Sequence, residues 1–232
     1  MTMIDQKGQD VIWKHIQNHA RDYFDMSYTR LCYLAEKCRP GERVLNIGVG
    51  SGKLEEILVN LGVEIWSLDP CGESIDRLRD ELAMGNRAVQ GYSNELPFQK
   101  DYFDKVIMTE VLEHLPNDIL NKTLDEVYRV LKVHGVLTGT VPYRENLIDN
   151  NVICPHCETE FHRWGHQQSF DKSSLGEILI KHKFLIVQLY SRSFPDFRRP
   201  GFILFVKSLF RYVLGRLGEP LIAPNLYFVV HK

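Results

Sequence analysis

The stretch Val44-Leu45-Asn46-Ile47-Gly48-Val49-Gly50-Ser51-Gly52 decides how the rest of the chain is read. An apolar run long enough for one strand enters a turn with glycine at every second position, and a helical pattern begins at Lys53. Glycines suit such a turn because the backbone must bend tightly and approach a ligand closely, where a Cβ would intrude. The helix behind the turn presents main-chain N–H groups that no intrahelical carbonyl satisfies. Taken alone, the triplet also fits a plain strand-to-helix turn. The next strand, however, ends at Asp69, about 20 residues on, where a carboxylate can accept hydrogen bonds from ribose hydroxyls. Together the two features favour an adenosine-containing ligand.

Outward from this turn, short β-rich runs alternate with helical ones. Arg43–Val49, Glu64–Asp69, Arg87–Tyr92, Phe103–Thr109, Val136–Tyr143 and Phe184–Ser193 read as strands. Lys53–Leu61, Glu73–Ala83, Ile119–Leu131 and Lys172–His182 read as helices. This alternation predicts a mostly parallel sheet covered on both faces, with right-handed crossovers. The last run, Leu226–His231, follows no helix directly and is expected to pair antiparallel with Phe184–Ser193 at the sheet edge. Before the sheet, Val11 to Cys38 carries helical spacing and is expected to form a helical cap over residues 1–40, closed by Pro40-Gly41.

Asn46 to Gly52 followed by Ser67-Leu68-Asp69-Pro70 resembles the first two motifs of class I S-adenosylmethionine-dependent methyltransferases, in the type 11 branch that includes quinone-biosynthesis enzymes. Gly91–Phe98, Phe103-Asp104 through Glu113-His114-Leu115-Pro116, and Tyr128–Lys132 leading to Gly135 agree with it in order and spacing, over roughly residues 40 to 145. The resemblance implies a three-layer, Rossmann-like α/β sandwich with a seven-stranded, mostly parallel sheet and an antiparallel last strand. It implies a methyltransferase domain over 41–232, with S-adenosylmethionine as donor and S-adenosylhomocysteine as product. Cofactor-binding positions are expected at Asn46, Gly48, Gly50, Gly52, Asp69, Pro70, Tyr92, Ser93, Asn94, Thr109 and Glu110. Two positions depart from the pattern: Asn46 stands where an acidic residue is usual, and Tyr92 where an aspartate commonly meets the adenine. A dehydrogenase would share the loop and the carboxylate, but it uses G-x-G-x-x-G, which this loop is not.

The resemblance also places Glu110-Val111-Leu112-Glu113-His114 at the start of the acceptor pocket. His114 is the candidate general base, since an imidazole titrates near neutrality. On a helical turn the E-x-x-E-H spacing would bring Glu110, Glu113 and His114 onto one face, as in segments that bind a divalent metal in some methyltransferases; capping or pairing within the helix start is the alternative. Downstream, Cys154, Cys157, His162 and His166 are spaced C-x2-C-x4-H-x3-H in a loop insert at 150–168, the ligand set of a closed, structural zinc site. His156 could replace His166, and a reduced, metal-free pair or a disulfide are the other readings.

A second insert, 194–225, contains the apolar run 201–217 with Lys207, Arg211 and Arg216. It suits a packing or dimer helix, a lid over an apolar acceptor, or a helix lying on a membrane surface; it is too short and charged to span a bilayer. The composition, 44% apolar and 25% charged with a net charge of -2, is that of a globular protein without a general attraction to polyanions. A polar N-terminus and five mostly scattered cysteines fit a cytoplasmic setting rather than a secreted disulfide scaffold. The expected substrate is a small, lipophilic acceptor methylated on O, N or C, and the chain a monomer or homodimer. An RNA methyltransferase would need Arg144, Arg163, Arg192, Arg198 and Arg199 on one face, and a catalytically inactive cofactor-binding partner would suit the changes at Asn46 and Tyr92.

Overall fold

The computed structural model describes residues 6–19, 24, 27–195 and 225–232. The apolar run 201–217, together with Arg198 and Arg199, lies outside the described residues. No helix among the described residues is long and apolar enough to cross a membrane.

Two helices, α1 (Gln6–His19) and α2 (Tyr28–Ala35), precede the alternation. Then come β1 (Arg43–Ile47), α3 (Lys53–Asn60), β2 (Glu64–Asp69), α4 (Gly72–Glu81), β3 (Ala88–Gln90), β4 (Phe103–Thr109), α5 (Asn117–Val130) and β5 (Leu131–Pro142). A small hairpin, β6 (Asn151–Ile153) and β7 (Glu160–His162), interrupts the pattern before α6 (Lys172–Lys181), β8 (Leu185–Arg192) and β9 (Asn225–His231). The main sheet has seven strands in the order β3-β2-β1-β4-β5-β9-β8. Its first five strands run parallel, and β9 pairs antiparallel with both β5 and β8. The antiparallel pairing expected for the last run is present, but β8 takes the edge and β9 inserts between it and β5.

Each face of the sheet is buried under helices, which makes three layers. Leu120, Leu124 and Val127 of α5 and Leu175 and Leu179 of α6 pack on one face. On the other, Leu34 of α2, Leu54 and Leu58 of α3, and Ile75 and Leu78 of α4 pack against Val44, Ile65 and Ile107. The apolar positions of α5 recur every three or four residues, which is why one stripe of that helix is buried.

The junction after α5 differs from the sequence reading. The helix stops at Val130 and the strand begins at Leu131 with no connecting loop. The register then slips, from Leu131 opposite Phe103 to Val136 opposite Lys105, around His134 at φ 64°. Sequence periodicity sees only the straight segment after this bulge.

The strand order reverses between β1 and β4, so the crossovers leave on opposite sides and open a crevice at the carboxyl ends of β1, β2 and β4. Ile47, Asp69 and Thr109 end those strands. Phe228 of β9, fully buried opposite Gly139 and Leu189, joins the antiparallel edge to this centre. Phe228→Ala should lower unfolding free energy by about 3–5 kcal/mol, read as a reduced urea midpoint with an unchanged m-value.

Candidate active site

Where β1 ends, Gly48 adopts φ 88°, and a Cβ there would stand 2.6 Å from Cγ2 of Val111. Any other residue would be strained and would push this turn away from the end of β4. Asp69 is buried below the turn. Its Oδ2 accepts the Val49 N–H at 2.8 Å and its Oδ1 the Cys71 N–H at 2.8 Å. Burial pushes the Asp69 carboxyl above the usual range, against the pull of these two N–H groups.

A cavity of about 370 Å³ opens at this point, within the ordinary size range of small-molecule sites. Asn46, Gly48, Gly50, Asp69, Pro70, Tyr92, Ser93, Thr109, Glu110 and His114 all line it. Of the expected cofactor-binding residues, Gly52 and Asn94 do not. Gly52 instead precedes the first turn of α3, at φ 82°. The Tyr92 hydroxyl donates to Asp10 Oδ2 at 2.7 Å, and the Ser93 hydroxyl lies 2.8 Å from that of Thr123. Both polar tips are therefore engaged with the protein.

Asn46 sits over a buried carboxylate that no motif announced. Its Nδ2 donates to Glu55 Oε1 at 2.7 Å, and Ser67 Oγ donates to the same oxygen at 2.9 Å. The amide is thereby oriented with Oδ1 buried and unpartnered at the cavity wall. Sequence spacing identified Asn46 as a departure from the acidic pattern but missed Glu55, which lies one helical stretch later and has its own partner set.

The helical cap forms the near wall. From α1, Gln17 Nε2 donates to Asp69 Oδ2 at 3.2 Å, while its Oε1 accepts from Ser74 at 2.8 Å. Trp13 meets the His114 ring edge-on at 4.7 Å, and Gln9 Nε2 donates to the Gly165 carbonyl. Trp13, Gln17 and Arg30 were not legible as site residues, because their role depends on how the cap folds back across the sheet. Trp13, Ile16, Phe24, Leu31, Val111 and Trp164 make much of the wall apolar.

At the other end of the cavity, Glu110 directly follows β4 with φ 55°. Its side chain accepts from Thr140 Oγ1 at 2.8 Å and from Asn225 Nδ2 at 3.3 Å, and it pairs with Arg30 Nη1 at 3.5 Å. These contacts engage its carboxylate, and among the described residues Glu110 does not join Glu113 and His114 in one ligand set as the E-x-x-E-H spacing suggested. His166 takes that place. The main-chain carbonyl of Glu113 accepts N–H groups from Gln167 at 2.7 Å and Gln168 at 3.0 Å, which docks the loop before α6 on the 3-10 turn Leu112–His114. The His114 and His166 ring centroids are consequently 4.6 Å apart.

The C-x2-C-x4-H-x3-H quartet does not assemble. In the hairpin Asn151 stands opposite His162 and Ile153 opposite Glu160. Cys154 therefore lies three residues along the strand from the level of His162, roughly 10 Å at the usual rise. Cys157 is exposed in the turn, with Sγ 3.2 Å from Thr159 Oγ1, and His156 is exposed beside it. Among the described residues, the groups able to share an ion are Glu113, His114 and His166, and Glu145, His162 and His166. Neither contains a cysteine, so Cys154 and Cys157 belong to the hairpin tip while His162 and His166 belong to its base.

Residues 45–138 match the family model described as a methyltransferase domain. Over 109 residues the chain is 37% identical to the ubiquinone/menaquinone biosynthesis C-methyltransferase UbiE of Vibrio campbellii, covering 43% of this chain and 40% of that protein. Residues 45–138 are a class I methyltransferase domain. A ubiquinone biosynthesis O-methyltransferase of Xanthomonas campestris is 32% identical over 95 residues, again 40% of its length. The chain thus spans less than half the length of the curated relatives it matches. A solved methyltransferase from Burkholderia thailandensis, bound to 1,6-didemethyltoxoflavin and S-adenosylhomocysteine, superposes with a TM-score of 0.66 at 17% identity, covering 100% of this chain and 92% of that one. The methyltransferase domain therefore has the Rossmann-like architecture implied by its motifs.

Within the methyltransferase domain, burial raises the Glu55 carboxyl above its ordinary value, against the donors from Asn46 and Ser67. A folded-state value above the unfolded one means that its contribution is full below the unfolded value and lost as pH rises through the folded one. Glu55→Gln should therefore gain stability relative to the parent as pH is raised from 5 to 8, measured by urea unfolding at each pH. An unchanged difference across that range would contradict it.

Proposed function

We propose that the chain transfers a methyl group from S-adenosylmethionine to a small, lipophilic acceptor. The observation that carries this is the buried Asp69 carboxylate at the mouth of a glycine turn whose backbone lies open to the cavity. The residues present fit the donor. Asp69 would accept from the ribose hydroxyls, with Gln17 sharing or yielding its place at Oδ2. Gly48 and Gly50 would lie along the methionine portion, where a side chain on Gly48 would close the gap. Asn46 Oδ1, buried and unpartnered, would accept from its ammonium group.

When bound, S-adenosylmethionine supplies a methyl group on a sulfonium, so the transfer depends mainly on in-line positioning. The chain's own residues provide that positioning and exclude water. Trp13, Phe24, Val111, Leu115 and Trp164 surround the space beyond Thr109 with apolar surface, which favours an aromatic or lipid-like acceptor. His114 is the group placed to act on it. Burial, with the neighbouring His166, holds its imidazole well below the ordinary value, against the approach of the Gly165 backbone. The neutral form of this ring, which borders the cavity, is thereby favoured.

The ubiquinone/menaquinone biosynthesis enzymes among the relatives support a quinol-like acceptor. An RNA acceptor fares less well. Arg192 is stacked over Tyr33 at 3.9 Å, so one of the arginines needed for a basic face is engaged with the protein itself. Cytoplasmic residence and a monomeric or homodimeric state complete the proposal.

Calorimetry with S-adenosylhomocysteine is the direct test. One site per chain is expected, and Asp69→Ala should weaken binding at least about tenfold, or about 1.4 kcal/mol. Comparable heat from NAD+, or none from S-adenosylhomocysteine, would remove the reading.

A further inference from the structure

Beyond the donor site, Glu113, His114 and His166 converge in a way that hydrogen bonding does not explain. Both carboxylate oxygens of Glu113 and both ring nitrogens of His114 are buried without a hydrogen-bond partner. Glu113 is 0% exposed and His114 9%. Unpartnered groups of this kind are uncommon in folded proteins, and two adjacent ones point to something that fills the space between them. The third residue is already oriented. Glu145 holds Nδ1 of His166, which leaves Nε2 available, and its other oxygen lies 3.4 Å from Nε2 of His162. His162 Nδ1 accepts main-chain N–H groups from Trp164 at 3.3 Å and His166 at 3.1 Å, so this neighbour is fixed as well.

We propose that Glu113, His114 and His166 are the protein ligands of a divalent first-row transition-metal ion at the acceptor end of the cavity. One ligand atom from each lies within 4.8 Å of the others. Ligands bonded at about 2.1 Å at tetrahedral angles stand about 3.4 Å apart, so side-chain shifts of up to about 1.4 Å close the set. Two imidazoles and one carboxylate suit Zn²⁺, Mn²⁺ or Fe²⁺ and leave coordination positions open. His114 and His166 line the cavity whereas Glu113 stands behind them, so the open positions face the acceptor. Glu145 is the positioning residue, in the carboxylate–histidine–metal arrangement.

The site deepens the methyltransferase reading. If the cavity holds the acceptor, an oxygen of that acceptor completes the coordination, and the His114 lone pair serves the ion rather than a proton. An acceptor with a hydroxyl, phenolic or enolic oxygen follows as the class.

Protein stripped with EDTA and returned to chelator-free buffer should be titrated with Mn²⁺, Co²⁺ and Zn²⁺ by calorimetry, with the Co²⁺ form read by visible absorption. One ion per chain and Co²⁺ ligand-field bands are expected. Glu113→Gln and His166→Asn should each weaken binding at least about tenfold, and Glu145→Gln by about tenfold to a hundredfold. The double variant Cys154→Ser/Cys157→Ser should bind as the parent does. Thermal melting of each variant separates lost ligation from lost folding, and Glu113→Gln, nearly isosteric, is the decisive one. Absence of saturable binding to the parent, or binding that survives His166→Asn and disappears in the double cysteine variant, overturns the site. Ion binding without S-adenosylhomocysteine binding would keep this site and remove the methyltransferase reading; the reverse pattern would remove only the ion.

Discussion

A carboxylate buried at the end of a central strand must find donors, and the donors available to Asp69 are two main-chain N–H groups from different turns. One belongs to the glycine turn after β1 and the other to the entry of α4. The unpaired alternative would leave a charge or a polar group in an apolar layer, at several kcal/mol. Satisfying Asp69 therefore fixes the positions of both turns relative to β2. The N-terminal cap then closes on the same atom through Gln17, and the cavity acquires its near wall. Removing the carboxylate would loosen three elements together, because Asp69 is the one group that all three share.

The far wall has a different origin. β9 enters between β5 and β8, and its first residue, Asn225, reaches Glu110 beside Thr140 and Arg30. Glu110 adopts a left-handed backbone that a non-glycine residue takes only when surrounding contacts hold it there. Its engagement by Thr140, Asn225 and Arg30 supplies those contacts. The turn that follows is thereby aimed so that Val111 covers Gly48 and His114 faces the cavity. A glycine on one side and a strained glutamate on the other meet at the centre of the crevice.

Much of this was readable from residue order. Strands and helices alternate with clear periods, and the boundaries of β2 and β4 fall where the apolar runs end, because buried parallel strands carry continuous apolar sequence. The glycine turn and Asp69 were legible for the same reason: both are local patterns at fixed spacing. What escaped were contacts made between distant segments. Glu55 looks like a surface residue of an amphipathic helix until Asn46 and Ser67 are seen to point at it. Gln17 is an unremarkable polar residue in a cap until the cap folds over β2. The cysteine–histidine motif failed in the opposite direction, since a convincing linear spacing was overruled by a hairpin register that holds the two halves at opposite ends.

That failure also shows what organises the histidines. The loop carrying His162 and His166 is attached through main-chain bonds, from Gln167 and Gln168 to the carbonyl of Glu113 and from Gly165 to that of His162. Gly165, at φ 72°, permits the close turn, and a side chain there would collide with the Gln9 carboxamide. Backbone bonds of this kind do not depend on protonation or on any bound ion. The imidazoles are thus brought together by the folding of the chain itself, and their burial follows from the docking of α1 above them. A cluster assembled in this order is preorganised: its geometry is set before anything occupies the cavity, and the unsatisfied atoms of Glu113 and His114 are the residue of that order. Whatever binds there meets donors already aimed, at a reduced entropic cost of ordering them.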